Sequence, residues 1–138
     1  MTPFHLKIVT PDGLQFDGMV EELIVRTTTG DMGVQAGHIN CVAALGMGRA
    51  TLVINGEKRY AACIGGMLSV VDGEVTLVPT TFEWAEKIDA ARAELAADRA
   101  KKVLAKRGAH INDIRIAEAK LKRALLRSSV ANSKHKFK

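Results

Sequence analysis

Near Pro79 the sequence changes its chemistry, and this change limits what the chain can fold into. Eleven of its twelve glycines and all three prolines lie at or before residue 79, and only Gly108 follows. The later stretch is rich in Ala, Lys and Arg, which favour helix, whereas glycines mark tight turns between short elements. The sequence therefore predicts a compact sheet module joined to a helical arm.

The charges divide at the same boundary. Residues 1–80 hold five Lys/Arg against eight Asp/Glu, and residues 81–138 hold fifteen against seven, so the two parts carry −3 and +8 of the overall +5. A mildly acidic body with a cationic arm indicates that the arm binds an acidic surface. The charge alone leaves open whether that surface carries phosphate or carboxylate.

The first part is predicted to form short strands joined by tight turns. Asn55-Gly56 and Asp72-Gly73 each separate two apolar stretches, and such pairs accept the positive φ angles of a hairpin turn. The predicted strands are Ala50–Ile54, Glu57–Ile64, Met67–Val71, Glu74–Val78, Phe4–Val9, Gly18–Thr27 and Cys41–Leu45. Strands at this spacing, without a helical period, indicate an antiparallel β-sandwich or a flattened barrel.

The second part is predicted to form two helices separated by Arg107-Gly108-Ala109. One apolar stripe on the first helix would contain Trp84, Ile88, Ala91 and Leu95, and a second stripe would contain Ala93, Ala97, Ala100 and Leu104. The other helix has a single stripe of Ile114, Ala117, Leu121, Ala124 and Leu125. We therefore expect the first helix to lie between the sandwich and the second helix, in an antiparallel hairpin about 30 Å long.

The resulting prediction is an N-terminal antiparallel β-sandwich, residues 1–83, followed by a C-terminal two-helix hairpin with a basic tail, residues 84–138. An alanine-rich seam buries little apolar area, so the hairpin is expected to be held by only about a few kcal/mol. Cations flank the stripe of the second helix, and they continue into the tail as Lys134, Lys136 and Lys138. These cations are either an ordinary solvated face or an electrostatic latch.

Other classes of protein have little support in the sequence. The N-terminal stretch lacks the layout of a signal peptide, and no run is apolar enough to cross a membrane, so neither export nor a transmembrane segment is expected. P-loop and nucleophile-elbow motifs are absent, and we expect no catalytic residue. No metal site is expected either, because the histidines lack ligand spacing and suitable companions: His5, His38, His110 and His135.

Four motifs stand in an order that resembles a known family. They are Thr10-Pro11-Asp12-Gly13, the stretch from Thr29 to His38 (TGDMGVQAGH), Gly65–Val70 (GGMLSV) and Ile88–Ala93 (IDAARA). Each motif is weak alone, but the four in order, on a sandwich followed by a helical hairpin, resemble the epsilon subunit of the bacterial F-type ATP synthase across essentially the whole chain. The resemblance implies a non-catalytic rotor subunit of a proton-translocating machine.

The resemblance also implies partners and a location. Such a subunit would turn with the gamma subunit and sit on the ring of c subunits, peripheral to the cytoplasmic face of the bacterial membrane. The loop contacts of the family map onto Asp31, toward the ring, and onto His38, toward gamma. On residue chemistry alone, His38 is as well explained as a buried histidine that closes a glycine-rich turn.

A regulatory role follows from the same resemblance. In this family the hairpin can leave the sandwich and extend along the stalk, where cations of its second helix meet an acidic segment of the catalytic beta subunits and block ATP hydrolysis. The residues of this chain that match the role are Arg115, Lys122, Arg123 and Arg127.

Some bacterial members bind ATP through an I-D-x-x-R-A pattern, which holds the hairpin folded. Here the pattern comprises Ile88, Asp89, Arg92 and Ala93, with Arg99, Arg123 and Arg127 available to neutralise phosphates. No cofactor is required, and regulatory ATP is the one ligand that the resemblance implies. The alternative is an ordinary ion pair between Asp89 and Arg92 on the helix surface.

Two other functions remain open at this stage. A basic hairpin can bind nucleic acid, although the acidic sandwich and the absence of interleaved aromatics disfavour this alternative, and we expect no nucleic-acid partner. A stand-alone ATP sensor is the other alternative, which titration of ATP into the isolated chain would distinguish.

Overall fold

The computed structural model describes residues 1–106, 108 and 110–133. Arg107, Ala109, His135 and the three lysines of the tail lie outside the described residues. Ten strands precede a single 3₁₀ turn, Ala85–Lys87, and two helices, α1 (Ala90–Ala105) and α2 (Ile111–Ser133). The strands are β1 Phe4–Thr10, β2 Gly13–Val20, β3 Glu22–Thr27, β4 Gly30–Val34, β5 Cys41–Ala44, β6 Met47–Ile54, β7 Glu57–Ile64, β8 Met67–Val71, β9 Glu74–Val78 and β10 Thr81–Trp84.

The strands form two five-stranded sheets, which confirms the predicted β-sandwich. The first sheet has the order β2-β1-β9-β8-β5, and the second has the order β10-β7-β6-β3-β4. All neighbouring pairs are antiparallel except β1 and β9, which run parallel with Leu6 opposite Val75. A parallel pair needs a long crossover, and the connection between these two strands contains four of the five strands of the second sheet, namely β3, β4, β6 and β7.

The core between the sheets is small and mainly aliphatic. Alternate residues of β1 are buried, as are the inward residues of the facing strands, and the fully buried side chains include Leu6, Ile8, Leu23, Val25, Leu52, Leu68 and Leu77. Burial of each such side chain stabilises the fold by about 1.5–3 kcal/mol relative to exposure. Period-two burial along short strands is therefore the main source of the stability of the sandwich.

The two predicted hairpin turns are confirmed. Asn55 and Gly56 have φ angles of 51° and 78°, and Asp72 and Gly73 have φ angles of 49° and 84°. The flanking strands β7, β8 and β9 begin and end at the predicted residues, and Pro79 follows β9 directly. Local turn chemistry fixes these bounds because only a few residue types accept a positive φ.

Other strand predictions were incomplete or wrong. The stretch Gly18–Thr27, predicted as one strand, is divided at Glu21 into the end of β2 and all of β3. The sequence analysis missed β4, which contains two glycines, and β10, which directly precedes the helical arm. Their pairing with β3 and β7 outweighs the weak local preference of these segments for a strand.

The apolar stripe predicted to start at Trp84 was wrong. Trp84 ends β10 and pairs with Ala61, and Ile88 precedes α1, while Ala91 and Leu95 are exposed. The helix begins only after Asp89, whose side chain caps its first turn. The four residues therefore share a sequence spacing but not a helix face.

The two-helix hairpin is confirmed, but the predicted order of its layers was wrong. Small buried residues of α1 face α2, namely Ala93, Ala97 and Ala100. It is α2 that packs on β6, β7 and the 3₁₀ turn. Near its end, Leu126, Val130 and Ala131 form one apolar cluster with Tyr60, Ala62, Ala85 and Ile88. The arm thus docks through its second helix, and α1 forms the outer layer.

Gly66 provides a test of how tightly the sheets are joined. Its φ is 92°, and a Cβ at this position would collide with the carbonyl oxygen of Val78 and lie 2.6 Å from Cα of Pro79. We expect Gly66→Ala to lower the free energy of unfolding by about 3–5 kcal/mol, from steric overlap and the unfavourable φ together. Urea denaturation measures this change.

Gly73→Ala is the matched control. Gly73 has a similar φ of 84°, but a Cβ there would meet nothing within 4 Å. Gly73→Ala should lower the free energy of unfolding by only about 1–2 kcal/mol, because the positive φ is its one unfavourable feature. Equal losses from the two substitutions would contradict the close approach at Gly66.

Candidate functional site

A cleft of about 990 Å³ lies between the two helices and the edge of the second sheet. Its apolar walls come from small and aliphatic residues of both helices, together with Ile64 of β7. Five cations line it, with two carboxylates among them: Arg99, Lys106, Lys120, Arg123 and Arg127, and Glu83 and Asp113. An apolar cleft with an excess of positive charge suits a ligand that combines a flat apolar group with phosphate or carboxylate.

One ion pair joins the arm to the sandwich across this cleft. Nε of Arg127 lies 2.8 Å from Oε1 of Glu83, and Nη2 of Arg127 donates to Oε2 of Glu83 over 3.1 Å. The N–H of Nε is buried and does not point along the line to Oε1, so the first contact is an ion pair without an aligned hydrogen bond. Both side chains are only about 30% exposed, so solvent screens this contact less than a surface pair.

The structure divides the predicted nucleotide residues between two places. Arg99, Arg123 and Arg127 line the cleft. Ile88, Asp89, Arg92 and Ala93 lie at the start of α1, outside the cleft lining. Asp89 accepts a hydrogen bond from the backbone N–H of Arg92 over 3.0 Å, which is a helix cap.

The two apolar members of that pattern are buried. Ala93 packs between the helices, and Ile88 belongs to the cluster on which α2 docks. The pattern thus fixes the position and direction of α1 at its start, where the arm leaves the sandwich.

The cations predicted for the inhibitory arm differ in exposure. Arg115, Lys122 and Arg123 are exposed on α2, and Arg123 also faces the cleft. Arg127 is half-buried against Glu83. In the docked arm, three of these four cations are therefore exposed to solvent, and Arg127 pairs with Glu83 of the sandwich.

The connection between sandwich and arm is held by Arg59 of β7. Its guanidinium lies 3.5 Å above the ring of Trp84, and its Nε and Nη2 donate to Oε1 of Glu86 over 3.0 and 2.6 Å. Partial burial would raise the pKa of Glu86, but hydrogen bonds from its own backbone and from Arg59 lower it overall. Stacking and ion pairing thus hold the 3₁₀ turn against the sheet.

A second arginine holds the far end of the arm. Arg49 of β6 donates from Nη1 to Oγ of Ser133 over 3.1 Å, and its guanidinium lies 4.5 Å from the ring centre of Tyr60. A cation beside the last turn of a helix also complements the partial negative charge of its carbonyl groups. Sequence reasoning missed both Arg49 and Arg59, because their roles depend on which face of the sheet the arm covers.

Asp31 and His38, the predicted partner contacts, lie at opposite ends of the segment that contains β4. Asp31 is exposed and pairs with Arg26 on the adjacent strand, with Nε 2.8 Å from Oδ1. His38 is half-exposed in the turn before β5, where its backbone N–H donates to the carbonyl of Gln35 over 3.2 Å. The alternative of a fully buried His38 is wrong.

The outer face of the first sheet carries a row of apolar side chains that the sequence analysis did not identify. Leu14 of β2 is opposite Val9 of β1. The row continues with Val78 of β9, which is opposite Met67 of β8, and Met67 is opposite Ala44 of β5. Leu14, Val78 and Met67 are 57%, 46% and 51% exposed. The signal was available in the alternation of each strand, since outward positions that face only water are normally polar.

A charged cluster lies on the same face beside this row. The ring of His5 bridges two carboxylates, with Nε2 2.5 Å from Oδ1 of Asp17 and Nδ1 2.6 Å from Oε2 of Glu74. The hydrogen bond with Glu74, followed by the one with Asp17, raises the pKa of His5 above its usual value. The bridge therefore joins β2, β1 and β9 most strongly when the imidazole is protonated.

Two cysteines of the described residues are free, and Cys63 is the buried one. Burial raises the pKa of the Cys63 thiol to about 12, so this cysteine stays protonated. Among the described residues, no group of three or more His, Cys, Asp or Glu side chains is placed to hold a metal ion. No helix in the described part of the chain combines the length and apolar character that crossing a bilayer requires.

Two domain models of one family match successive parts of the chain. The model described as ATP synthase, Delta/Epsilon chain, beta-sandwich domain, matches residues 3–85, and its companion, the long alpha-helix domain, matches residues 86–132. The chain is thus a β-sandwich with a docked helical hairpin, matched on both parts. It belongs to the ATP synthase delta/epsilon chain family.

Individual relatives agree with this assignment. The chain is 41% identical over 133 residues to the ATP synthase epsilon chain of Bacillus velezensis, covering 96% of this chain and all of that one. It is 38% identical over 135 residues to the ATP synthase epsilon chain of Ruminococcus albus, covering 97% of this chain and 100% of that one. A chain in the Euglena gracilis mitochondrial ATP synthase structure has the same fold, with a TM-score of 0.81 at 23% identity over 94% of this chain and 81% of that chain.

The His5 bridge predicts a pH-dependent stability. A raised pKa in the folded state gives stabilisation that is fully present below the unfolded value of 6.5 and is lost as the pH rises through the folded value. The free energy of unfolding of the parent should therefore exceed that of His5→Gln most at pH 6, and the difference should shrink toward pH 9. Urea denaturation at both pH values measures it.

Removal of both carboxylates serves as the control. The double variant Asp17→Asn/Glu74→Gln should lose the same pH dependence, because its histidine has no charged partner left in the bridge. A difference between parent and His5→Gln that stayed constant from pH 6 to pH 9 would contradict the bridge.

Proposed function

We propose that this protein is a non-catalytic central-stalk subunit of a rotary, proton-translocating ATP synthase, and that its arm regulates ATP hydrolysis. The observation that carries the proposal is the full-length similarity to bacterial epsilon chains, over the sandwich and the arm alike. Family membership accounts for the basic arm, so the nucleic-acid alternative is set aside. The subunit would lie at the cytoplasmic face of the membrane, peripheral to it.

The sandwich is the part that we assign to the rotor. Asp31, at the start of β4, would contact the c-ring, and His38 would contact the gamma subunit. His38 adjoins β5, the edge strand on which the exposed apolar row ends at Ala44. One partner covering this edge would bury both His38 and the apolar row, so we assign the row to gamma as well.

The arm is the part that we assign to regulation. Its contact with the sandwich combines a small apolar cluster at the end of α2 with the pairs Arg127–Glu83 and Arg49–Ser133. Such a contact is expected to be worth about a few kcal/mol, because ordering entropy offsets much of the gain. The arm can then leave the sandwich, and Arg115, Lys122, Arg123 and Arg127 would bind an acidic segment of a beta subunit and block rotation.

Regulatory ATP is the ligand that we assign to the closed arm. The cleft supplies Arg99, Arg123 and Arg127 for the phosphates, and its apolar walls suit a base. Ile88, Asp89, Arg92 and Ala93 would contribute by fixing the start of α1. Because ATP would bind only the docked arm, its binding would stabilise that state by mass action and oppose inhibition.

Hydrolysis measurements on the assembled catalytic head test the inhibitory role. With Arg115→Gln/Lys122→Gln, the arm should dock as in the parent, because both side chains are exposed on α2 away from the docking cluster. Inhibition should weaken about thirtyfold, since each of the two lost charge contacts costs about 1 kcal/mol. Truncation after Asp89 should abolish inhibition, and the shortened chain should still assemble with the catalytic head.

The matched control places the same charge change on the outer helix. Lys101→Gln/Lys102→Gln removes two exposed cations from α1 and should leave hydrolysis at the parent level. If the control and the α2 variant released hydrolysis equally, or if truncation left it unchanged, the regulatory assignment would fail.

Calorimetric titration of ATP into the isolated chain tests the cleft. Arg99→Ala and Arg123→Ala should each weaken binding about tenfold, the loss expected for one charge-assisted hydrogen bond. Asp89→Ala/Arg92→Ala should weaken it about fivefold, mainly through the lost cap of α1. If Asp89→Ala/Arg92→Ala bound ATP as tightly as the parent, the Ile88–Ala93 pattern would not belong to the site. Lys101→Ala is the control.

A further inference from the structure

The tip of the second sheet is a rigid hairpin. Between β3 and β4 the chain turns through Thr27–Gly30, where Oγ1 of Thr27 donates to the carbonyl of Gly30 over 2.6 Å and accepts from the backbone N–H of Thr29 over 3.3 Å. Thr27 is buried. Side chains that follow the turn therefore start from a fixed backbone.

Arg26 and Asp31 are directly opposite each other on these two strands. Nε of Arg26 lies 2.8 Å from Oδ1 of Asp31, and the two side chains are 50% and 61% exposed. An exposed pair of this kind contributes about 0–1 kcal/mol to stability. The stability of the fold alone does not explain why the chain accommodates it.

Two glycines of the neighbouring segment make room for the arginine. A Cβ on Gly48 would lie 2.5 Å from Cβ and 3.0 Å from Cγ of Arg26, and a Cβ on Gly46 would lie 3.1 Å from the carbonyl oxygen of Thr27 and 3.4 Å from Cγ of Arg26. Neither glycine has a positive φ, so the backbone does not require glycine at these positions. The stem of Arg26 therefore lies against the backbone of Gly48 in β6.

We propose that Arg26 is a positioning residue for Asp31. The inference rests on the proposed contact between Asp31 and the c-ring. The stem of Arg26 packs against Gly48, and its guanidinium holds Oδ1 of Asp31. Oδ2 of Asp31 has no hydrogen-bond partner within the part of the chain described here, and it is left to accept from a cation or N–H donor on the ring.

A double-mutant cycle on binding tests the proposal. The full chain is titrated onto the detergent-solubilised ATP synthase complex from which this subunit has been stripped. Asp31→Asn should weaken binding about tenfold, and Arg26→Met about threefold to fivefold, since the carboxylate then samples other rotamers. The double variant should bind no more weakly than Asp31→Asn, because Arg26 acts only through Asp31.

Gly48→Ala supplies an independent route to the same defect. Its methyl group would lie 2.5 Å from Cβ of Arg26, an overlap that a change of rotamer does not relieve, so β3 and β6 must shift at Arg26 and binding should weaken at least as much as in Arg26→Met. Thermal melting of the isolated Arg26→Met and Asp31→Asn variants should stay within about 3 °C of the parent, as expected for an exposed pair, whereas Gly48→Ala should melt lower because of the overlap with Cβ of Arg26. Lys101→Met removes an equivalent charge from α1 and should bind as the parent does.

The outcomes separate the two assignments. If Asp31→Asn bound as tightly as the parent, the contact between Asp31 and the ring would be refuted, and the role of Arg26 with it. If Asp31→Asn weakened binding but Arg26→Met did not, or if the two losses were additive, only the positioning role of Arg26 would be overturned.

Discussion

The docking of the last turns of α2 on β6 and β7 is the contact on which the rest of the structure depends. Val130 and Ala131 cover Tyr60 and Ala62, and the pairs Arg127–Glu83 and Arg49–Ser133 stand on either side of this cluster. The contact forms one wall of the cleft, covers β6 and β7 on one face of the second sheet, and pairs Arg127 of α2 with Glu83. The apolar part is small, so electrostatics contributes a large share of its specificity.

The two parts of the molecule thus differ in how they are stabilised. The sandwich is held by a continuous aliphatic core and by tight turns, whereas the arm is held by alanine contacts, two arginines of the sheet and Arg127. A well-packed sandwich with a weakly attached arm suits a subunit whose sandwich stays on a rotor while its arm changes position. The apolar row proposed for gamma lies on the first sheet, whereas the arm packs on β6 and β7 of the second sheet, in which Asp31 also lies.

The sequence predicted those features that depend on local chemistry. Asn55-Gly56 and Asp72-Gly73 defined two hairpins, and the alanine stripe from Ala93 to Ala100 defined the inner face of α1. The order of the layers was not predictable in this way, because it depends on which helix packs on the sheet. Leu126 and Val130 of α2 do so, whereas Trp84 is itself part of the sheet, paired with β7. Likewise, Arg99, Arg123 and Arg127 were identified as a set, but Glu83, their neighbour in space, is far away in sequence.

The central claim is that the position of the arm controls hydrolysis. The direct measurement is ATP hydrolysis by the assembled head with a chain carrying Ala62→Cys and Ala131→Cys, two positions of the docking cluster, joined by a short crosslinker in a background without the native cysteines. The account predicts that the crosslinked arm leaves hydrolysis uninhibited and that cleavage of the link restores inhibition. Inhibition that was equally strong with the arm locked onto the sandwich would contradict it.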